Sequence, residues 1–167
     1  MALGSWSVLF IDRKANRCKE GKAVHVVVGG AFNGKRKWVK EHYRLQSGAC
    51  KWFCGYVNNA KMSEIYETEH FQKITVIEGI EQYIFHLIDQ SSDWQKKWEK
   101  MIFSWHEWEV KKRGTVIIIA NDITKGVVPI DPLERKWRDA CGSCLQQLIA
   151  KAGRVDMIWY GISERLK

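Results

Sequence analysis

Residues Gly29, Gly30, Ala31, Phe32, Asn33, Gly34 and Lys35 satisfy the spacing G-x-x-x-x-G-K, and that spacing carries a specific chemistry. Glycines let backbone N–H groups approach a phosphate, the N-terminus of the following helix adds partial positive charge, and the lysine ammonium reaches the β- and γ-oxygens of a nucleoside triphosphate. The next residue, where a Ser or Thr hydroxyl would ligate Mg²⁺, is Arg36, a cation with no acceptor atom. Residues 29–36 are therefore the candidate nucleotide-binding loop, with Lys35 its catalytic cation. Lys35 and Arg36 side by side predict that a triphosphate is held nearly independently of Mg²⁺, because a guanidinium neutralises phosphate directly. The alternative for the same residues is a glycine-rich strand-to-helix turn with an incidental lysine.

Other reactive side chains are less well placed. Cys50 and Cys54, with Cys141 and Cys144, allow a four-thiolate zinc site on paper, but the second pair falls in a helical pattern and reads as buried small hydrophobes. His106 and Glu107 are adjacent on a helix and diverge, so they make no metal pair. No metal-ligating set is assigned. Asn121 and Asp122 directly follow a strand pattern, which places them at the carboxyl edge of a sheet, where open α/β folds take their ligands. Arg135 and Arg138 lie three apart on the following helix and can face one way, toward an anionic group or a subunit contact.

These residues need strands and helices in alternation, and the sequence supplies them. Short β-branched runs occur at 23–28 (AVHVVV), 73–78 (KITVIE), 115–120 (TVIIIA) and 155–160 (VDMIWY). A helical pattern runs from Lys35 to about Leu45. Another spans 93–113, where Trp94, Trp98, Met101, Ile102, Trp105 and Trp108 form one apolar stripe that reads as core packing. Ser92 is its expected cap and Gly114 its expected stop. A last helix is expected over 133–152, with Pro132 at its first turn and Gly153 past its end. The expected fold is α/β: a three-layer, P-loop NTPase-like arrangement of a mostly parallel sheet with helices on both faces. Residues 5–12 (SWSVLFID) suggest an additional N-terminal edge strand. The whole chain, 1–167, reads as a single domain with 1–22 as an N-terminal extension.

The chain has 46% hydrophobic residues, enough for one sizeable core, and a formal net charge of +8. That charge welcomes anions, yet no zinc-finger, RNP or basic-heptad pattern accompanies it, so nucleic acid is not an expected partner. No apolar run is long enough for a membrane span, and the expected compartment is the cytoplasm.

The carboxyl third carries a more specific signal. Residues 121–129 (NDITKGVVP) are similar to the N-E-V-G-x-G-[IV]-V-P segment of cobinamide kinase/cobinamide-phosphate guanylyltransferases. Arg135, Lys136, Trp137, Arg138 and Asp139, with Gly142 and Gln146, resemble that family's R-x-[FW]-R-D-x-x-G-x-x-x-Q, and GISERLK at 161–167 resembles its terminus. With GGAFNGK in place of GGARSGK, the likeness runs in order through 23–48 and 73–167. The resemblance implies a nucleotide-binding protein of adenosylcobinamide biosynthesis that uses ATP or GTP to phosphorylate the aminopropanol hydroxyl and, since relatives form trimers, a homo-oligomer. It gives Glu78 the place of the family's catalytic acid and adds Asp139 to the substrate or subunit contacts. Two departures accompany it. Arg36 replaces the metal-binding hydroxyl, and between 48 and 72 the histidine that takes the guanylyl group in relatives has no counterpart, since His42 and His70 lack its flanking residues. Guanylyl transfer is thus not expected, and a non-catalytic nucleotide or corrinoid sensor or partner subunit is the alternative to a kinase.

Overall fold

The computed structural model describes residues 24–46, 48–58 and 60–167; the strand expected at 5–12 lies outside them. Five parallel strands and one antiparallel edge strand form a single sheet in the order β2-β3-β4-β1-β5-β6. The β-branched runs supply β1 (His25–Gly29), β3 (Ile74–Glu78), β4 (Thr115–Asn121) and β5 (Arg154–Trp159). Two further strands, β2 (Lys51–Cys54) and β6 (Ile162–Arg165), are short and carry polar residues, so their sequences show no β-branched run.

Alternation along the central strands buries both faces. Val116, Ile118 and Ala120 join Val26 and Val28 in one core, while Ile117 and Ile119 join Val27 in another. The second core lies under α1 (Lys35–His42), through Val39 and Trp38. The first is covered by α3 (Ile80–Gln90), α4 (Trp94–Val110) and α5 (Pro132–Lys151); a short α2 (Met62–Tyr66) adds Ile65. Helices on both faces of a mostly parallel sheet are what the pattern predicts.

The tryptophan stripe is core. Trp98, Met101, Ile102 and Trp105 are fully buried, Trp98 and Trp105 meet edge to face at 5.9 Å, and the Trp105 indole donates to Ile65 O at 2.8 Å. The ends of α4 differ from expectation. Asp93 rather than Ser92 occupies the cap position and makes no capping hydrogen bond, because its carboxylate faces the Ser91 hydroxyl and Lys97. At the other end Lys112, at φ 55°, turns the chain before Gly114. For α5 the Asp131 carboxylate caps Leu133 N and Glu134 N at 2.8 and 2.9 Å, with Pro132 in the first turn. Cys141 and Cys144 on this helix are fully buried, as small hydrophobes. Among the described residues no helix is long and apolar enough to cross a membrane, and no group of His, Cys, Asp or Glu is arranged for a metal ion.

Candidate functional site

The loop from Gly29 to Gly34 leaves the carboxyl end of β1 and enters α1. Gly29 admits no side chain, since a Cβ there would lie 2.3 Å from Ile158 O on β5. Gly34, at φ 86°, takes the left-handed conformation that turns strand into helix. Trp38 N to Gly34 O, at 2.9 Å, is the first bond of the helix, so the amides of Lys35, Arg36 and Lys37 open α1 without a helical partner. Asn33 O accepts from Gly161 N at 2.9 Å, tying the loop to the β5–β6 turn, while Phe32 is fully exposed beside Ala31.

Lys35 is only 7% exposed, and its ammonium donates to Gly29 O (3.0 Å), Gly30 O (2.6 Å) and Asn121 Oδ1 (2.5 Å). Burial holds its pKa below the ordinary lysine value, partly offset by Glu81 and Glu78. The parallel register of β1 and β4 sets Gly29 opposite Asn121, which explains why this asparagine meets the lysine. Asn121, expected as a substrate or subunit contact, therefore belongs to the lysine's own surroundings. A desolvated ammonium held by neutral oxygens at an open loop can exchange those partners for phosphate oxygens.

Two carboxylates flank this lysine. Glu78, at the end of β3, accepts from Arg36 Nε at 3.0 and 2.9 Å, from Arg36 Nη2 at 2.5 Å and from the Trp52 indole at 2.8 Å. Its hydrogen bond to Glu78 raises the Arg36 pKa. The Arg36 side chain thus reaches across to the acid at the end of β3. Glu81, in the first turn of α3, is 1% exposed, accepts from the Tyr56 hydroxyl and takes Asn121 N at 3.2 Å. Asn121 Nδ2 donates to the same Tyr56 oxygen at 2.5 Å, closing a chain from Lys35 through Asn121 and Tyr56 to Glu81. Burial and the Glu81 carboxylate push the Tyr56 pKa up. Trp52 and Tyr56 escape sequence reasoning because they sit on and just after the unpredicted β2; no local pattern marks them.

The remaining candidates lie across the sheet edge. Arg138 donates to Thr124 O (3.1 and 2.5 Å) and Gly126 O (3.3 Å), and Arg135 to Pro129 O (3.1 Å) and Ile130 O (2.5 Å). Both arginines accordingly pin the loop after β4 onto α5. Asp122 turns inward onto Thr124 N and Oγ1 at 3.1 and 2.5 Å and pairs with Lys125. Asp122, Arg135, Arg138 and Asp139 share a cavity of about 730 Å³ with the apolar Val128 and Leu145. Asp122 N bonds Gly29 O at 3.2 Å, which links this cleft to the loop that follows β1.

The histidines are elsewhere. His42 ends α1, stacked on Trp38 at 4.5 Å with its Nε2 facing Arg154 at 2.8 Å, and His70 closes a 3-10 turn before β3. Both lie toward the amino edge of the parallel strands. His25 is buried there too, with its Nε2 2.7 Å from Asp156 and its Nδ1 2.5 Å from the Tyr43 hydroxyl.

The sequence model of the family described as cobinamide kinase / cobinamide phosphate guanyltransferase matches residues 37–166, starting just after Arg36. No curated protein matches the chain. Among solved structures, the flagellar accessory protein FlaH from Methanocaldococcus jannaschii is similar in fold, with a TM-score of 0.50 at 9% identity over 87% of this chain and 78% of that one.

Proposed function

The chain belongs to the cobinamide kinase / cobinamide phosphate guanyltransferase family, and we propose that its share of that chemistry is the nucleotide-dependent phosphorylation of cobinamide. In this reading ATP or GTP lies with its β- and γ-phosphates on residues 29–36. The free amides that open α1 take phosphate oxygens, and Lys35 leaves Gly29 O and Gly30 O for the transferred group. Catalysis is positioning and charge stabilisation, since a loose phosphoryl transition state asks little covalent chemistry of the protein. The acceptor hydroxyl approaches along the carboxyl edge of the sheet, from the cleft of Asp122, Arg135, Arg138 and Asp139. Glu78 acts through the cation it holds. The observation that carries the reading is the buried Lys35 ammonium, with all three of its donors on exchangeable oxygens at the mouth of the loop.

A second reading, a nucleotide or corrinoid sensor without turnover, is favoured by the engagement of both Glu78 oxygens with Arg36. Calorimetric titration of wild type and Lys35→Ala with ATP and GTP tests the shared premise. Loss of charge-assisted bonds of about 1.5–3 kcal/mol should weaken binding roughly 10- to 100-fold; equal affinities in the two proteins would refute it. Phosphate transfer from labelled nucleotide to cobinamide then separates kinase from sensor.

A further inference from the structure

We infer that the guanidinium of Arg36 occupies the role of the divalent cation in this site, so that the loop takes nucleoside triphosphate without Mg²⁺. The inference rests on the nucleotide reading for its ligand, but its structural part stands alone. A magnesium site at such a loop needs hard oxygen ligands from the residue after the lysine and from the acid at the end of a neighbouring strand. The first position is Arg36, which has no acceptor atom. The second is Glu78, whose two oxygens already receive three contacts from Arg36 and one from the Trp52 indole. The residues present do not fit a magnesium ion.

They do fit a fixed organic cation. The Arg36–Glu78 contact is a planar fork rather than a point contact, and Trp52 both donates to the carboxylate and lies within cation–π reach of the guanidinium, whose carbon is 5.6 Å from the ring centroid. Arg36 Nη2 also lies 3.6 Å from Cys54 Sγ. Burial is polarised: the Glu78 side chain is 11% exposed and that of Arg36 52%. The negative partner is therefore the inner one, and the half-exposed guanidinium is the outer one. Nη1 makes no hydrogen bond among the described residues, which leaves its two protons for a phosphate oxygen. Arg36 follows Lys35 in the first turn of α1, at the end where the loop enters the helix.

The test has two arms. Binding of ATP and GTP is measured by calorimetry with Mg²⁺ and with EDTA, and binding of Mn²⁺ alone is measured by paramagnetic resonance. Wild type should bind nucleotide within about threefold under both conditions and should bind no Mn²⁺. Arg36→Ser should bind Mn²⁺, lose it again on adding Glu78→Gln, and show nucleotide affinity at least tenfold higher with Mg²⁺ than with EDTA. Arg36→Lys, which keeps the charge, should still exclude Mn²⁺, and circular dichroism checks that each variant is folded. A wild-type protein that binds Mn²⁺ through Glu78, or whose nucleotide affinity falls tenfold in EDTA, overturns the inference, as does an Arg36→Ser protein that gains no Mn²⁺. If wild type binds no nucleotide in either condition, the nucleotide reading fails, while the Mn²⁺ arm still decides whether Arg36 has displaced a metal.

Discussion

Replacing Asp156 by asparagine tests how the strand–loop–helix unit is anchored at the end remote from Lys35. Asp156 is buried between His25 Nε2 at 2.7 Å and Arg154 Nε at 2.5 Å, while Tyr43 meets the other ring nitrogen of His25 and His42 meets Arg154. The start of β1, the start of β5 and the end of α1 are thereby joined. Burial alone would raise the carboxyl's pKa, but its hydrogen bonds to His25 and Arg154 outweigh burial and hold it down at about 2, against an ordinary 3.8. A folded-state pKa below the unfolded one means that the unfolded chain binds more protons between these values. The stabilisation is therefore full above pH 3.8 and is lost as pH falls toward 2. A shift of this size corresponds to about 2 kcal/mol. His25 adds a separate window: burial holds its pKa below 6.5, so its contribution is full above pH 6.5 and declines as pH falls through the lowered value. Asp156→Asn removes the carboxylate window and, because the carboxylate charge raises the His25 pKa against burial, moves the histidine window to lower pH. Urea unfolding followed by tryptophan fluorescence, between pH 7 and 2, should show the stability gap between wild type and variant narrowing by about 2 kcal/mol below pH 4. Curves that stay parallel to within about 0.5 kcal/mol would refute the assignment of this carboxylate as the titrating anchor.

Two other outcomes follow from the same geometry. Trp105→Phe removes the indole donor to Ile65 O inside the core, and thermal or urea unfolding should register a loss of about 1–3 kcal/mol; an unchanged midpoint would mean the bond is not formed. Labelled GTP should leave no acid-labile adduct on the protein, because His42 ends α1 and His70 precedes β3, both on the edge of the sheet away from Lys35. Peptide mapping that found the label on either histidine would show that a nucleophile reaches the phosphates by a route absent from this fold.

Much of the architecture was legible along the chain because it rests on local periodicity. TVIIIA buries alternate residues in two cores because a central parallel strand is covered on both faces, and the tryptophan stripe repeats every three or four residues because one side of α4 meets the core. The loop from Gly29 to Gly34 was legible for the same reason: strand end, glycines, lysine and helix start are consecutive in sequence. The surroundings of the lysine were not. Asn121 stands 86 residues from Lys35 and meets it through the register of β1 with β4; Glu78 stands 42 residues from Arg36 and meets it because β3 ends beside the opening turn of α1. Trp52 and Tyr56 enter only when β2, too short and polar to show as a strand, pairs with β3. The residue types at 36 and 78 announced a cation and an acid. Whether they would face a nucleotide separately or neutralise each other depended on the distance between two elements, which only strand pairing and the packing of α1 on the sheet set.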